Sequence, residues 1–199
     1  MSQTAALVAR FANELLLLGD LAYPNGTAED FRRCFDPDYG RFRRHFRPIP
    51  GNHEYDTAAG EAYYTYFGDA AGPLRTGYYA FRAATWQVLM LNSSAPITRG
   101  SAQYAWLADQ LQRDSRCTLA AVHHPFSSSG PHGNTDSLRD VWQLLMSYDV
   151  DVILNGHDHD YERTLPMASG KKTAVRCPVF CHRTSCRALK SSASMRFPS

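Results

Sequence analysis

The chain has 199 residues, 44% of them hydrophobic, which suffices for one domain with a core of its own. Its formal charge of +2 hides an asymmetry: residues 1–163 carry 14 Arg against 19 acidic residues, whereas residues 164–199 carry 7 basic residues and no acid. The acidic body argues against a nucleic-acid groove, and no apolar run approaches the roughly 20 residues of a membrane-spanning helix.

Residues 3–13 place apolar side chains at helical spacing and predict a helix. ELLLLG then reads as a buried parallel strand ending in Gly19-Asp20, and residues 28–46 as arginine-rich helical pieces broken at Pro37. RPIPGNHE reads as a short strand entering a loop, residues 60–67 as an aromatic helix, and GYYAF and TWQVLMLN as two strands. SAQYAWLADQLQRD is the clearest helix, with Ser101 placed as its N-cap and Tyr104, Leu107 and Leu111 on one face. CTLAAV is a strand that delivers His123, and a Gly/Ser-rich loop follows at 127–134. TDSLRDVWQLLMSYDV is a second amphipathic helix, and DVILNG a strand that delivers His157 and His159. Alternating strands and helices predict α/β layers, with ligands at the carboxyl ends of the strands.

Four short runs end in similar chemistry: GDLAY at 19–23, GNHE at 51–54, AVHHP at 121–125 and GHDHDYER at 156–163. Asp20 offers an oxygen able to bridge two cations, Tyr23 a phenol, Asn52 an amide oxygen, and His123 and His157 ring nitrogens. His159, two residues after His157, falls on the same side of an extended segment. Mixed oxygen and nitrogen donors favour zinc, iron or manganese over calcium. Two such ions can hold a bridging hydroxide and polarise a phosphoester.

In this order and spacing the four runs resemble the calcineurin-like metallophosphoesterases, most closely the purple acid phosphatase branch and its bacterial relatives. Tyr23 in GDLAY and the YER after GHDH carry the branch-level likeness, which covers roughly residues 5–165. The resemblance implies a layered α/β/β/α sandwich that hydrolyses small phosphomonoesters at a dinuclear site. It implies Asp20 as the bridging carboxylate, Tyr23 and His159 as ligands of a first, ferric ion, and Asn52, His123 and His157 as ligands of a second ion, iron, zinc or manganese. His123 is taken as the ligand of its HHP triplet in preference to His124. His53 resembles the histidine that contacts phosphate and acts as general acid. His132 is similar in placement to a substrate-contacting histidine, and a surface loop histidine is the other reading of it.

The family opens with a strand ending in Asp-x-His or Asp-x-Gly, and no such motif precedes GDLAY. The expectation is therefore a sandwich lacking its first strand, spanning residues 1–166, with a weakened first-metal site. A phosphodiesterase or nuclease on the same scaffold, and a truncated remnant that binds metal without turnover, are the alternative readings. Residues 167–199 are expected to be a disordered or frame-altered tail; the spacing of its Cys177, Cys181, His182 and Cys186 matches no familiar zinc pattern. The branch implies an exported protein, although the chain start lacks a signal peptide's features. For Cys34 and Cys117, the two cysteines of the body, a mutual disulfide is one reading on the same grounds, and buried, unpaired thiols are the other.

Overall fold

The computed structural model describes residues 3–11, 14–113, 117–164 and 178–180. Helix α1 (Gln3–Phe11) leads into strand β1 (Leu15–Leu18). A helical stretch follows, from α2 (Ala28–Asp30) through a wide π turn at Phe31–Phe35 to α3 (Asp36–Tyr39) and a 3-10 segment at Gly40–His45. Then come strand β2 (Phe46–Ile49), helix α4 (Glu61–Phe67) and strands β3 (Tyr79–Ala83) and β4 (Trp86–Leu91). Helix α5 (Ala102–Leu111), strand β5 (Cys117–Val122), helix α6 (Arg139–Ser147) and strands β6 (Val152–Leu154), β7 (Tyr161–Arg163) and β8 (Pro178–Phe180) complete the order.

The strands β1 and β2 pair in parallel, with Leu18 opposite Ile49. Strands β3 to β6 form a second sheet in sequence order, antiparallel at β3–β4 and parallel from β4 to β6. Successive strand residues face opposite sides, so the period-2 alternation sorts the core into layers. Leu15, Leu17 and Phe46 pack with α1, the π turn and α4, through Val8, Phe31, Phe35, Tyr63 and Phe67. The alternate residues Leu16, Leu18 and Ile49 meet Val88 and Met90 of β4, Leu119 and Ala121 of β5 and Leu154 of β6. On the far face, Leu89, Leu91, Ala120, Val122 and Ile153 bury against Leu107 and Leu111 of α5 and Val141 and Leu145 of α6. The result is the expected four-layer α/β/β/α sandwich, in which each fully buried aliphatic side chain contributes roughly 1.5–3 kcal/mol.

Several local expectations change. Pro37 does not break the helical stretch, because it sits in the first turn of α3, where its missing N–H costs little, and the wide turn directly before it relaxes the ring's clash with the preceding carbonyls. As expected, by contrast, Ser101 caps α5 by accepting from the Tyr104 N–H. The helix expected from Thr135 starts as a 3-10 turn at Asp136–Leu138 and becomes α-helical at Arg139. Cys34 and Cys117 do not bridge each other: Cys34 is disulfide-bonded, while Cys117 is a free thiol. Of the tail, residues 178–180 pair antiparallel with β7, and residues 167–177 and 181–199 lie outside the described residues.

Candidate metal centre

The donor residues of all four chemical runs lie just beyond the end of a strand. β1 ends at Leu18, and Gly19 and Asp20 both turn through left-handed backbone, at φ +88° and +53°. β2 ends at Ile49 and delivers Gly51-Asn52-His53, β5 delivers His123, and β6 delivers His157 and His159. The two loops from β1 and β2 lie so close that a Cβ on Gly51 would stand 2.1 Å from Asp20 Oδ1. The segment after β6 corrects the reasoning from extended geometry: it is a bend in which His157 and His159 adopt φ +78° and +55°. Such values are uncommon outside glycine and cluster at functional sites.

The six expected ligands converge in one chain of contacts. Tyr23 Oη lies 2.9 Å from His159 Nε2 and 3.4 Å from Asp20 Oδ2. The same Asp20 oxygen lies 3.2 Å from His123 Nε2. His123 Nε2 in turn stands 3.2 Å from Asn52 Oδ1 and 3.3 Å from His157 Nδ1. Asp20 Oδ2 thus touches both the Tyr23/His159 pair and the Asn52/His123/His157 set, while Oδ1 accepts the His53 N–H at 3.1 Å.

Electrostatics suit a cation at this point. His123 Nδ1 faces the Leu18 carbonyl at 2.7 Å and must carry a proton to bond it, so in the neutral ring Nε2 turns a lone pair toward two oxygens and another ring nitrogen. Such a gathering of lone pairs repels itself unless a proton or a metal lies within it. Burial opposes charge on His123 and Asp20, yet their mutual contact overrides it, raising the imidazole and lowering the carboxyl to about 2. Burial, aided by His123 and His132, pushes His157 down to about 4, so its ring is neutral and free to donate electrons at physiological pH. Bonds of roughly 2.0–2.2 Å from one ion would set neighbouring donor atoms roughly 3.0–3.5 Å apart, matching these separations. The residues present therefore fit mixed oxygen and nitrogen coordination.

His124 joins the cluster, with one ring nitrogen each from His123, His124 and His157 within 4.8 Å of one another. Its Nδ1 is engaged by Ser93 Oγ at 2.7 Å, and burial beside two other imidazoles lowers it to about 3. His123 is the member whose Nε2 meets Asp20 and Asn52. His53 lies at the rim, its ring 4.5 Å from that of Tyr23 and its Nδ1 on the Pro24 carbonyl, which leaves Nε2 as the nitrogen able to exchange a proton. The ring of His132 sits 4.5 Å from that of His157, so the loop histidine does reach the centre.

Two residues escaped the sequence reading. Glu54 is fully buried and accepts four backbone N–H groups: Leu21 and Ala22 at 2.7 and 3.2 Å on Oε1, Asp20 and Gly51 both at 2.8 Å on Oε2. It binds the Asp20 loop to the Asn52 loop. The signal was its place inside GNHE, beside two residues that were assigned roles. Asp158, between the two histidines of GHDH, is buried and accepts the His132 N–H at 2.7 Å.

Four strand-end loops bring carboxylate, phenol, amide and imidazole groups to one point on a four-layer sandwich, the fold of a metallophosphoesterase. The chain matches the sequence profile of calcineurin-like phosphoesterases over residues 2–161 and belongs to that family. Several of its relatives are purple acid phosphatases. It is 29% identical over 188 residues to purple acid phosphatase 15 of Arabidopsis thaliana, covering 75% of this chain and 35% of that protein. It is also 29% identical over 174 residues to the Fe(3+)-Zn(2+) purple acid phosphatase 12 of the same plant, covering 75% and 37%. The fold superimposes on purple acid phosphatase PPD1 from yellow lupin seeds with a TM-score of 0.72 at 18% identity, over 88% of this chain and 37% of that one. The chain thus spans little more than a third of the length of each of these proteins.

Proposed function

We propose that this chain hydrolyses small phosphomonoesters with two cations held among Asp20, Tyr23, Asn52, His123, His157 and His159. The observation that carries the reading is that Asp20 Oδ2 contacts both halves of the ligand set, as a carboxylate shared by two ions must. Tyr23 and His159 are assigned to one ion, ferric iron, and Asn52, His123 and His157 to the other, iron, zinc or manganese. One relative is a Fe(3+)-Zn(2+) purple acid phosphatase, which supports that choice. When bound, such a pair supplies Lewis acidity toward a phosphoryl oxygen and a nucleophile at neutral pH.

The protein's own groups do the rest. Neutral His157 and the Leu18-anchored His123 present lone pairs in fixed directions. His53, with Nδ1 held on the Pro24 carbonyl, keeps Nε2 for transfer of a proton to the leaving oxygen. His132 lies over His157, on the side from which a phosphoryl group meets the ligand set. The acidic body supports a small ester over a nucleic acid. The Cys34 disulfide supports an oxidising compartment outside the cytoplasm.

The test is metal analysis of the purified chain together with hydrolysis of p-nitrophenyl phosphate and its bis-ester. Retained transition metal and a faster monoester reaction, abolished by chelator and restored by iron plus zinc, are expected. A faster diester reaction would favour the phosphodiesterase reading, and a chain that binds no metal and cleaves neither ester would refute the proposal.

A further inference from the structure

The run GHDHDYER does more than carry two candidate ligands: two of its three acids, Asp158 and Glu162, reach across to the loop at 128–134. Asp158 Oδ1 accepts the His132 N–H at 2.7 Å, and Glu162 Oε2 accepts the Ser129 N–H at 3.1 Å. Between these tethers the loop bonds to itself, Gly130 N–H to Ser128 Oγ and Ser128 N–H to Asn134 Oδ1, both at 2.9 Å. It is seated so closely that a Cβ on Gly130 would stand 2.6 Å from Asp158 Cγ. Asp158 is 3% exposed, and its second oxygen has no hydrogen-bond partner among the described residues. The ring of His132 ends 4.5 Å from His157 and 6.1 Å from His159.

We propose that Asp158 is a positioning residue for substrate binding: it holds His132 over the ligand set, so that the imidazole meets the phosphoryl group of the ester. The inference rests on the proposed phosphoesterase reading. Asp158 acts here through one acceptor oxygen on a backbone N–H, and its charge is not required. Asparagine can keep that oxygen in place and put its NH2 where Oδ2 has no described partner, so Asp158→Asn should preserve the tether and Asp158→Ala should remove it. A carboxylate acting through its charge on the histidines or on a cation would instead be lost equally in both.

The experiment uses the full chain loaded with zinc, with inorganic phosphate as the probe. Phosphate affinity is measured by titration calorimetry, and the amide exchange of His132 by mass spectrometry. Asp158→Ala should weaken phosphate about tenfold, as expected for loss of one charge-assisted hydrogen bond. His132→Ala should weaken it equally, and the double variant no further, because both changes remove the same contact. Asp158→Asn should stay within about twofold of the parent and keep the His132 amide protected. Gly130→Ala, whose Cβ forces the loop and the Asp158 side chain apart, should reproduce Asp158→Ala and serves if that variant does not fold. An Asp158→Asn variant as weak as Asp158→Ala, additive effects in the double variant, or unchanged phosphate binding in Asp158→Ala would each overturn the proposal, as would a parent chain that binds no phosphate. A parent that binds phosphate yet cleaves no ester would remove the phosphatase reading alone.

Discussion

Replacing Glu54 with glutamine tests the clamp under the ligand set. The carboxylate takes two N–H groups on each oxygen, Leu21 and Ala22 on one and Asp20 and Gly51 on the other. An amide retains one oxygen, so either orientation points an NH2 group at two backbone donors. Two charge-assisted bonds are lost at about 1.5–3 kcal/mol each, which gives about 3–6 kcal/mol. That is a large part of the roughly 5–15 kcal/mol of a typical domain. Burial removes water as a replacement partner, since Glu54 is completely enclosed. In metal-free protein, urea unfolding with a slope of roughly 2 kcal/mol/M should show the midpoint falling by about 1.5–3 M. Zinc affinity of the refolded variant should fall too, because the left-handed Asp20 backbone loses its hold. A stability loss below about 1 kcal/mol would show that the four N–H groups find other partners, and the clamp argument would fail.

Gly51→Ala should weaken zinc binding at least about tenfold in a chelator competition, because its Cβ enters the space of Asp20 Oδ1; unchanged affinity would mean that the two loops part without cost. Burial raises the phenols of Tyr63, Tyr64 and Tyr79, and raises Tyr66 to about 12. The folded state therefore holds phenolic protons that the unfolded chain releases near 10, and stability must fall as pH rises above that value. Absorbance at 295 nm should show these tyrosines ionising together with loss of circular dichroism, and separate, earlier ionisation would contradict their enclosure. Alkylation of the denatured, unreduced chain should label Cys117 and spare Cys34; a labelled Cys34 would disprove its disulfide.

The strand ends were legible because buried parallel strands read as apolar runs, and each run here stops at a chemically distinctive residue. CTLAAV maps onto β5 without adjustment, and LLLL onto β1. The convergence of the six candidate side chains was legible for the same reason: topology brings strand ends together, so residues just beyond them meet. What stayed hidden depends on backbone partners remote in sequence. Glu54 bonds N–H groups 32 to 34 residues away, and nothing in GNHE announces which oxygen faces which loop. Asp158 meets a loop 26 residues earlier. The left-handed turns at His157 and His159 were invisible because spacing by two suggests an extended strand, whereas the pair shares a side through two unusual dihedrals. The cysteine count left the state of Cys34 open, because the number of thiols in a body does not say which of them bond.

The contact of His123 with the Leu18 carbonyl spans the seam where the two sheets face each other. Asp20 and Asn52 belong to one sheet's loops and His123 and His157 to the other's, so the chemical centre is also a rivet through the sandwich. Any substitution that retunes a ligand therefore also alters cohesion between the halves. Variation in reactivity and variation in heat resistance should travel together in this chain, instead of drifting apart as they can when catalytic groups sit on loops outside the core.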